Sequence, residues 1–285
     1  MKQSKITFIG PGAMAEAIFG GLIRNAIATP SNINISGPNI DRTQSLASKY
    51  GVNPYTNNKE AVKNADIVIL SIKPQRLNSV MAELRGNLPA DCLVISIIAG
   101  ASLKKLSHGL AHSQVVRTMP NTPSKIGEGI TVWTDTHSVT ASQKDMARTI
   151  LTALGQEIYV EDEHYLDMAT ALSGTGPAYI FLFMESLIDA GVHMGLPRRI
   201  SEQLVLQTIT GSVDYYRQND VHVSALRNQV TSPGGTTSEA LYYLEKAGFR
   251  TAISRAVWAA YQRSLELGKD QPAHLLDPNS SNENF

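Results

Sequence analysis

Two short stretches hold residue types that could bind and orient a small reactant. Near one end, Gly10-Pro11-Gly12-Ala13-Met14-Ala15 reads Gly-x-Gly-x-x-Ala directly after the β-rich run Ile6-Thr7-Phe8-Ile9. In a strand–turn–helix setting Gly10 permits the tight turn, Gly12 lets a diphosphate approach the backbone, and small Ala15 allows close helix–strand packing. Near the other end, Ser232-Pro233-Gly234-Gly235-Thr236-Thr237 opens an apparent helix that continues through Leu241-Tyr242-Tyr243-Leu244. Thr236 with Glu239 fits a capping box, and the amides after Pro233 suit a ligand carboxylate. Taken singly, the second stretch reads more simply as a well-capped surface helix. Together, the two point to an enzyme that brings a dinucleotide to a small carboxylated substrate.

Further candidates sit at the ends of other strand-like runs. Where an NAD enzyme presents Asp or Glu to the adenosine ribose, this chain has Ser36-Gly37-Pro38-Asn39, with Arg42 just beyond. The absence of a carboxylate and the presence of a guanidinium favour NADP(H); Asp41 is the competing ribose ligand that keeps NAD(H) open. Ser71-Ile72-Lys73-Pro74 ends a central strand at the edge where ligands bind in doubly wound sheets, and Lys73 is read evenly as a cofactor contact or a solvated side chain. Ala99-Gly100 is small enough to lie beside a nicotinamide ring, though a plain turn explains it as well. Asn58 lies on the same rim, as does Asn121 between two prolines, whose simpler role is turn geometry.

These residues need elements to hold them. At 285 residues the chain is long enough for two domains, and 42% apolar with 18% charged residues describes a soluble globular protein. Twenty-five basic residues balance twenty-five acidic ones, so no net charge draws the chain to nucleic acid. The lone cysteine, Cys92, lies in an apolar run and reads as a buried small hydrophobe rather than a reactive thiol; no metal site is assigned. No export signal is apparent, and the longest uninterrupted apolar stretch, from Tyr179 to Met184, is too short to cross a membrane, so cytoplasmic residence without a membrane partner is expected.

Up to residue 162 short β-rich runs alternate with amphipathic helical ones, the pattern of a parallel sheet flanked by helices. Strands are predicted over 5–9, 33–36, 67–72, 93–98 and 115–119, with less regular ones over 130–134 and 157–160. Helical spacing links Met14, Ala17, Ile18, Gly21 and Leu22, and likewise Leu77, Val80, Met81 and Leu84. Residues 163–270 read as helices alone, broken at Ser173-Gly174-Thr175-Gly176-Pro177, Met194-Gly195-Leu196-Pro197, Gln218-Asn219-Asp220 and the segment before Thr236. A helix such as Tyr179-Ile180-Phe181-Leu182-Phe183-Met184, apolar all round, must be buried. About a hundred residues offer too little interior for that, so this half is expected to dimerise. Residues 271–285, rich in Pro, Asn and Ser, read as a disordered tail.

The combination resembles pyrroline-5-carboxylate reductases over essentially the whole chain short of the tail. Besides the two stretches above, the resemblance rests on Ile72-Lys73-Pro74, Ala99-Gly100, Met119-Pro120-Asn121-Thr122-Pro123, Leu172-Ser173-Gly174-Thr175-Gly176-Pro177-Ala178-Tyr179 and Gly195-Leu196-Pro197. It implies a Rossmann-type doubly wound parallel sheet followed by an all-α dimerisation domain, with homodimers that in some relatives assemble into decamers. It also implies reduction of 1-pyrroline-5-carboxylate to L-proline with NADP(H), the loop of one subunit facing the nicotinamide held by the other. Carried over by position, Thr237 contacts the substrate nitrogen, while Ser232 and the backbone of Gly234, Gly235 and Thr236 hold its carboxylate. Glu163 falls near the ligand. The cofactor-binding set is then Ile9, Gly10, Pro11, Gly12, Ala13, Met14, Gly37, Asn39, Arg42, Asn58, Ile72, Lys73, Pro74, Ala99 and Gly100. An already protonated imine needs no strong general acid, in keeping with the lack of lysine from Gly174 to Leu196; His193, the only nearby substitute, is expected to be buried in packing. The competing readings are a reductase of other imines or 3-hydroxyacids, and a non-catalytic NADP-sensing scaffold.

Overall fold

The computed structural model describes residues 2–269, so the tail expected over 271–285 lies outside the described residues. In chain order the elements are β1 (Ile6–Ile9), α1 (Ala13–Arg24), β2 (Ile33–Ser36), α2 (Ile40–Tyr50), β3 (Asn53–Tyr55), α3 (Asn58–Val62), β4 (Ile67–Leu70), α4 (Leu77–Leu84), β5 (Leu93–Ser96), α5 (Leu103–Leu110), β6 (Val115–Met119), β7 (Gly129–Asp135), α6 (Ala141–Thr152), β8 (Gly155–Tyr159) and α7 (His164–Ala169). Five helices follow: α8 (Gly176–His193), α9 (Arg198–Arg217), α10 (Val223–Gln229), α11 (Thr236–Lys246) and α12 (Phe249–Gly268).

The eight strands form one sheet in the order β3-β2-β1-β4-β5-β6-β7-β8. Every residue of β1, β4 and β5 is buried, as their unbroken apolar runs require of strands covered on both faces. The helical spacing is equally faithful: α1 buries Ala17, Ile18, Gly21 and Leu22, and α4 buries Leu77, Val80, Met81 and Leu84. All pairings are parallel except β6 with β7, which run antiparallel. The sequence reading has no counterpart to β3, whose Asn53-Pro54-Tyr55 is short and carries a proline. At the sheet's edge the missing N–H costs little, because β3 pairs only with β2. Because β1 lies between β2 and β4, the chain order reverses there, and that is where a doubly wound sheet opens a crevice at its carboxyl edge.

The chain forms two compact units. One comprises the chain up to Gly174 together with the stretch from Ala260; the other is Thr175–Ala259. The break predicted at Ser173–Pro177 is slight: Thr170–Gly174 is a π-helical turn, Thr175 a bend, and α8 follows at once with Pro177 in its first turn, where a missing N–H is harmless. The resulting run from His164 to His193 is long and apolar enough, by length and composition alone, to cross a bilayer, whereas the sequence shows only Tyr179 to Met184 apolar without interruption.

In the second unit α8 packs on α9, where the Ser201 hydroxyl donates to the Ile188 carbonyl at 2.8 Å and a side chain at Gly191 would collide with Ser201. Gly191 and Ser201 are the only residues of Thr175–Ala259 that one chain buries. Phe181 and Leu182 stay 58% and 64% exposed, and His193, expected in packing, is exposed too. Apolar helices in this state have not found their partner surface. Replacing Phe181 and Leu182 together by glutamate would be nearly neutral on an ordinary surface, within about 0.5 kcal/mol each. Here we expect light scattering to show monomers with a lowered melting temperature; a dimer of unchanged stability would remove α8 from the interface.

Candidate functional site

At the carboxyl ends of β1, β2 and β4 lies a cavity of about 460 Å³. Its walls include Ile9, Gly10, Pro11 and Gly12 from the first turn, Gly37, Asn39 and Arg42 beyond β2, and Asn58, Ile72 and Lys73. Of the sequence-predicted cofactor residues, Ala13, Met14, Pro74, Ala99 and Gly100 do not line it. Gly10 has φ +93°, and a Cβ there would meet Ile72 Cγ2 at 2.6 Å and the Ser71 carbonyl oxygen at 2.9 Å, so the turn itself demands glycine. Gly12 is different. A Cβ at Gly12 would find nothing closer than the Ser71 oxygen at 4.0 Å, so nothing in the protein requires glycine there. It is also the N-cap of α1 and offers no side chain to the first-turn amides. A turn kept bare although the protein has room for a side chain fits a diphosphate brought close to the main chain.

The opposite wall is polar. Ser36 donates its hydroxyl to Asn58 Oδ1 at 2.7 Å, and Asn58 Nδ2 donates to Glu83 at 2.9 Å. Asn39 caps α2 by accepting from the Arg42 amide at 3.0 Å. Glu83 and Arg76 also line the cavity, and neither stands out in the sequence: Glu83 is on the polar face of α4 and Arg76 is an isolated charge before it. Gly100, expected beside a nicotinamide, has φ +71° and touches α12. A Cβ there would meet Gly268 N at 2.7 Å, so the close approach of the helix end accounts for this glycine.

The second stretch folds as a tight turn into α11. Gly235 N donates to the Ser232 carbonyl at 3.0 Å, with Pro233 in second place and Gly234 at φ +71° in third, the residue types a type II turn selects. The turn makes Gly235 the N-cap, with no side-chain cap. The expected Thr236–Glu239 box therefore does not form: Thr236 and Thr237 are already the first two helical residues. The capping box that does form is Thr140 with Gln143 at the start of α6. Left without a capping oxygen, the amides at the start of α11 suit an anion better than the predicted box would have allowed.

Glu163 is tied into the first unit. Its Oε1 accepts from the Leu103 amide at 2.7 Å and from Arg117 Nη1 at 2.9 Å, while Arg117 Nη2 binds Asp167 at 2.9 Å and the Ser264 hydroxyl donates to the same Asp167 oxygen at 2.8 Å. Arg117, 2% exposed, thus joins β6, the start of α5, α7 and α12. Asn121 serves its turn, accepting from the Ile130 amide at 3.0 Å. Cys92 is buried, and burial pushes its thiol up to about 12, so it supplies no nucleophile.

Residues 163–267 match a family model described as pyrroline-5-carboxylate reductase dimerisation, and residues 5–100 one described as NADP oxidoreductase, coenzyme F420-dependent. The chain is 41% identical to the pyrroline-5-carboxylate reductase of Synechocystis sp. over 93% of its own length and 98% of that protein. It is 35% identical to the Escherichia coli pyrroline-5-carboxylate reductase, with 94% and 99% covered. Among solved structures, Plasmodium falciparum pyrroline carboxylate reductase with NADP bound superposes with a TM-score of 0.87 at 36% identity, covering 94% of this chain and 100% of that one.

Two substitutions test this geometry. Gly12→Val should keep the melting temperature within about 4 °C while abolishing dinucleotide binding measured by calorimetry; unchanged affinity would show that the turn does not approach the cofactor. Arg117→Met strands two carboxylates and should lower the unfolding free energy in urea by about 3–5 kcal/mol. A loss below ~1 kcal/mol would show that the pairs are solvated rather than buried.

Proposed function

We propose how this chain, which belongs to the pyrroline-5-carboxylate reductase family and reduces 1-pyrroline-5-carboxylate to L-proline with NAD(P)H, divides that work between its two ends. NADPH, the preferred donor, supplies a hydride from the nicotinamide ring to the imine carbon. Everything else falls to the chain. Ile9 to Met14 with Gly37, Asn39 and Arg42 hold the dinucleotide, with Asn58 beside its ribose and Ile72, Lys73, Pro74, Ala99 and Gly100 along the strand ends. The amides of Gly234, Gly235 and Thr236, with the Ser232 hydroxyl, hold the substrate carboxylate. The observation that carries this assignment is the bare start of α11 behind a glycine N-cap.

The Thr237 hydroxyl, one residue further into α11, aligns the ring nitrogen, and Glu163 stands near the bound substrate. Because the imine arrives protonated, hydride addition neutralises charge instead of creating an alkoxide, and no lysine or histidine acid is called for. Catalysis is then chiefly positioning. Each site of the homodimer takes its cofactor cavity from one chain and its Ser232–Thr237 loop from the other, the exposed faces of the helices after Gly174 meeting between copies. A cytoplasmic dimer, assembling in turn into decamers, completes the reading.

Thr237→Ala should cost on the order of 1–3 kcal/mol, about five- to 150-fold in kcat/KM. Parent turnover together with parent KM would remove the role given to this hydroxyl. Mixing inactive Gly12→Val chains with Thr237→Ala chains tests the shared site. Subunit exchange should restore roughly a quarter of parent activity, since one site of each mixed dimer is then intact; no recovery despite exchange would place both halves of the site in one chain.

A further inference from the structure

Glu16, in the first turn of α1, gathers two cations and a phenol. Its Oε2 accepts from Arg42 Nη2 at 2.6 Å, and its Oε1 accepts from Lys49 Nζ at 2.9 Å and the Tyr50 hydroxyl at 3.0 Å. The bond from Lys49, reinforced by Arg42 and Tyr50, lowers its carboxyl to about 2, so Glu16 stays ionised at any working pH. Glu16 does not line the dinucleotide cavity; Arg42 does. The guanidinium is held twice, by Glu16 through Nη2 and more loosely by the Pro11 carbonyl through Nε at 3.4 Å. Its Nη1 hydrogens have no partner among the described residues. Glu16, Arg42 and Lys49 together carry one net positive charge, so the carboxylate orients the guanidinium without cancelling the attraction for an anion.

We infer that Glu16 is a positioning residue that sets the preference for a 2′-phosphorylated dinucleotide: it holds the Arg42 fork at the cavity wall, so that a phosphate meets a guanidinium already fixed. This rests on the reading of Arg42 as the 2′-phosphate ligand. An exposed arginine otherwise loses rotamer freedom on binding, and a carboxylate that orders it beforehand removes that cost from NADP alone, since NAD has no group for Arg42 to meet.

The test is calorimetric binding of NADP+, NAD+ and 2′-AMP to the intact protein, with melting temperatures as a check on folding. Glu16→Ala should weaken NADP+ and 2′-AMP by about two- to twelve-fold and leave NAD+ within about two-fold. Glu16→Gln, which still offers an oxygen to Arg42 Nη2, should recover most of the loss. Equal weakening of NADP+ and NAD+ would reduce Glu16 to a structural role, and tighter NADP+ binding in either variant would make it a mere repeller of phosphate; both overturn the inference. Arg42→Ala separates the layers. If it leaves NADP+ affinity intact, the reading of Arg42 fails and this inference with it; if it weakens NADP+ while Glu16→Ala does not, only the inference about Glu16 fails.

Discussion

The proposed division of labour depends on main-chain amides left without a side-chain cap at two glycine-led helix starts. The helices that begin at Gly12 and at Gly235 each have a glycine where a capping side chain would otherwise stand, so the positive end of the helix is offered to a ligand. By contrast the starts of α2, α3, α5 and α6 are closed by Asn39, Asn57, Ser102 and Thr140, while those of α4, α7, α8 and α9 also lack a side-chain cap but have a residue other than glycine at the N-cap. The two glycine-capped starts, after Gly12 and Gly235, are the ones proposed above for the two anionic parts of the reaction, a dinucleotide diphosphate and an amino-acid carboxylate.

A second constraint is the shortage of interior after Gly174. Five helices that bury only Gly191 and Ser201 within one chain between Thr175 and Ala259 leave their hydrophobic faces to be covered by another copy, in keeping with a family match centred on dimerisation. Dimer formation therefore belongs to the folding of this half rather than being added to it. The same exposure explains why the run from His164 to His193 has the composition of a bilayer span: a face meant for a protein partner is as apolar as one meant for lipid.

Between these extremes Arg117 holds the first unit together. A strand residue buried beneath two carboxylates is costly to desolvate, and the structure compensates with two ion pairs, a helix-start amide on Glu163 and a serine hydroxyl on Asp167. The network binds the end of α12 to the sheet side by side with the close approach of Gly100 to Gly268. The loop after β5 is thereby fixed by two independent contacts.

Periodicity and glycine spacing made the central strands, α1, α4 and the glycine turn after β1 legible, because burial on both faces and a positive φ leave marks on local sequence. The short edge strand Asn53-Pro54-Tyr55 left none, since its identity comes from lying beside β2. Nor did the pairing of Glu16 with Arg42, Lys49 and Tyr50, or that of Arg117 with Glu163 and Asp167, where the partners are 26 to 50 residues apart. At Thr236 the local pattern even misled: Ser/Thr with Glu three residues on is a capping signature, but the turn at Pro233-Gly234 shifts the cap back to Gly235. The sequence alone therefore determined the fold class and the two glycine turns after β1 and before α11, because backbone geometry is imposed locally. The tertiary structure decided which charges meet and which amides stay open, because both depend on segments that only folding brings side by side.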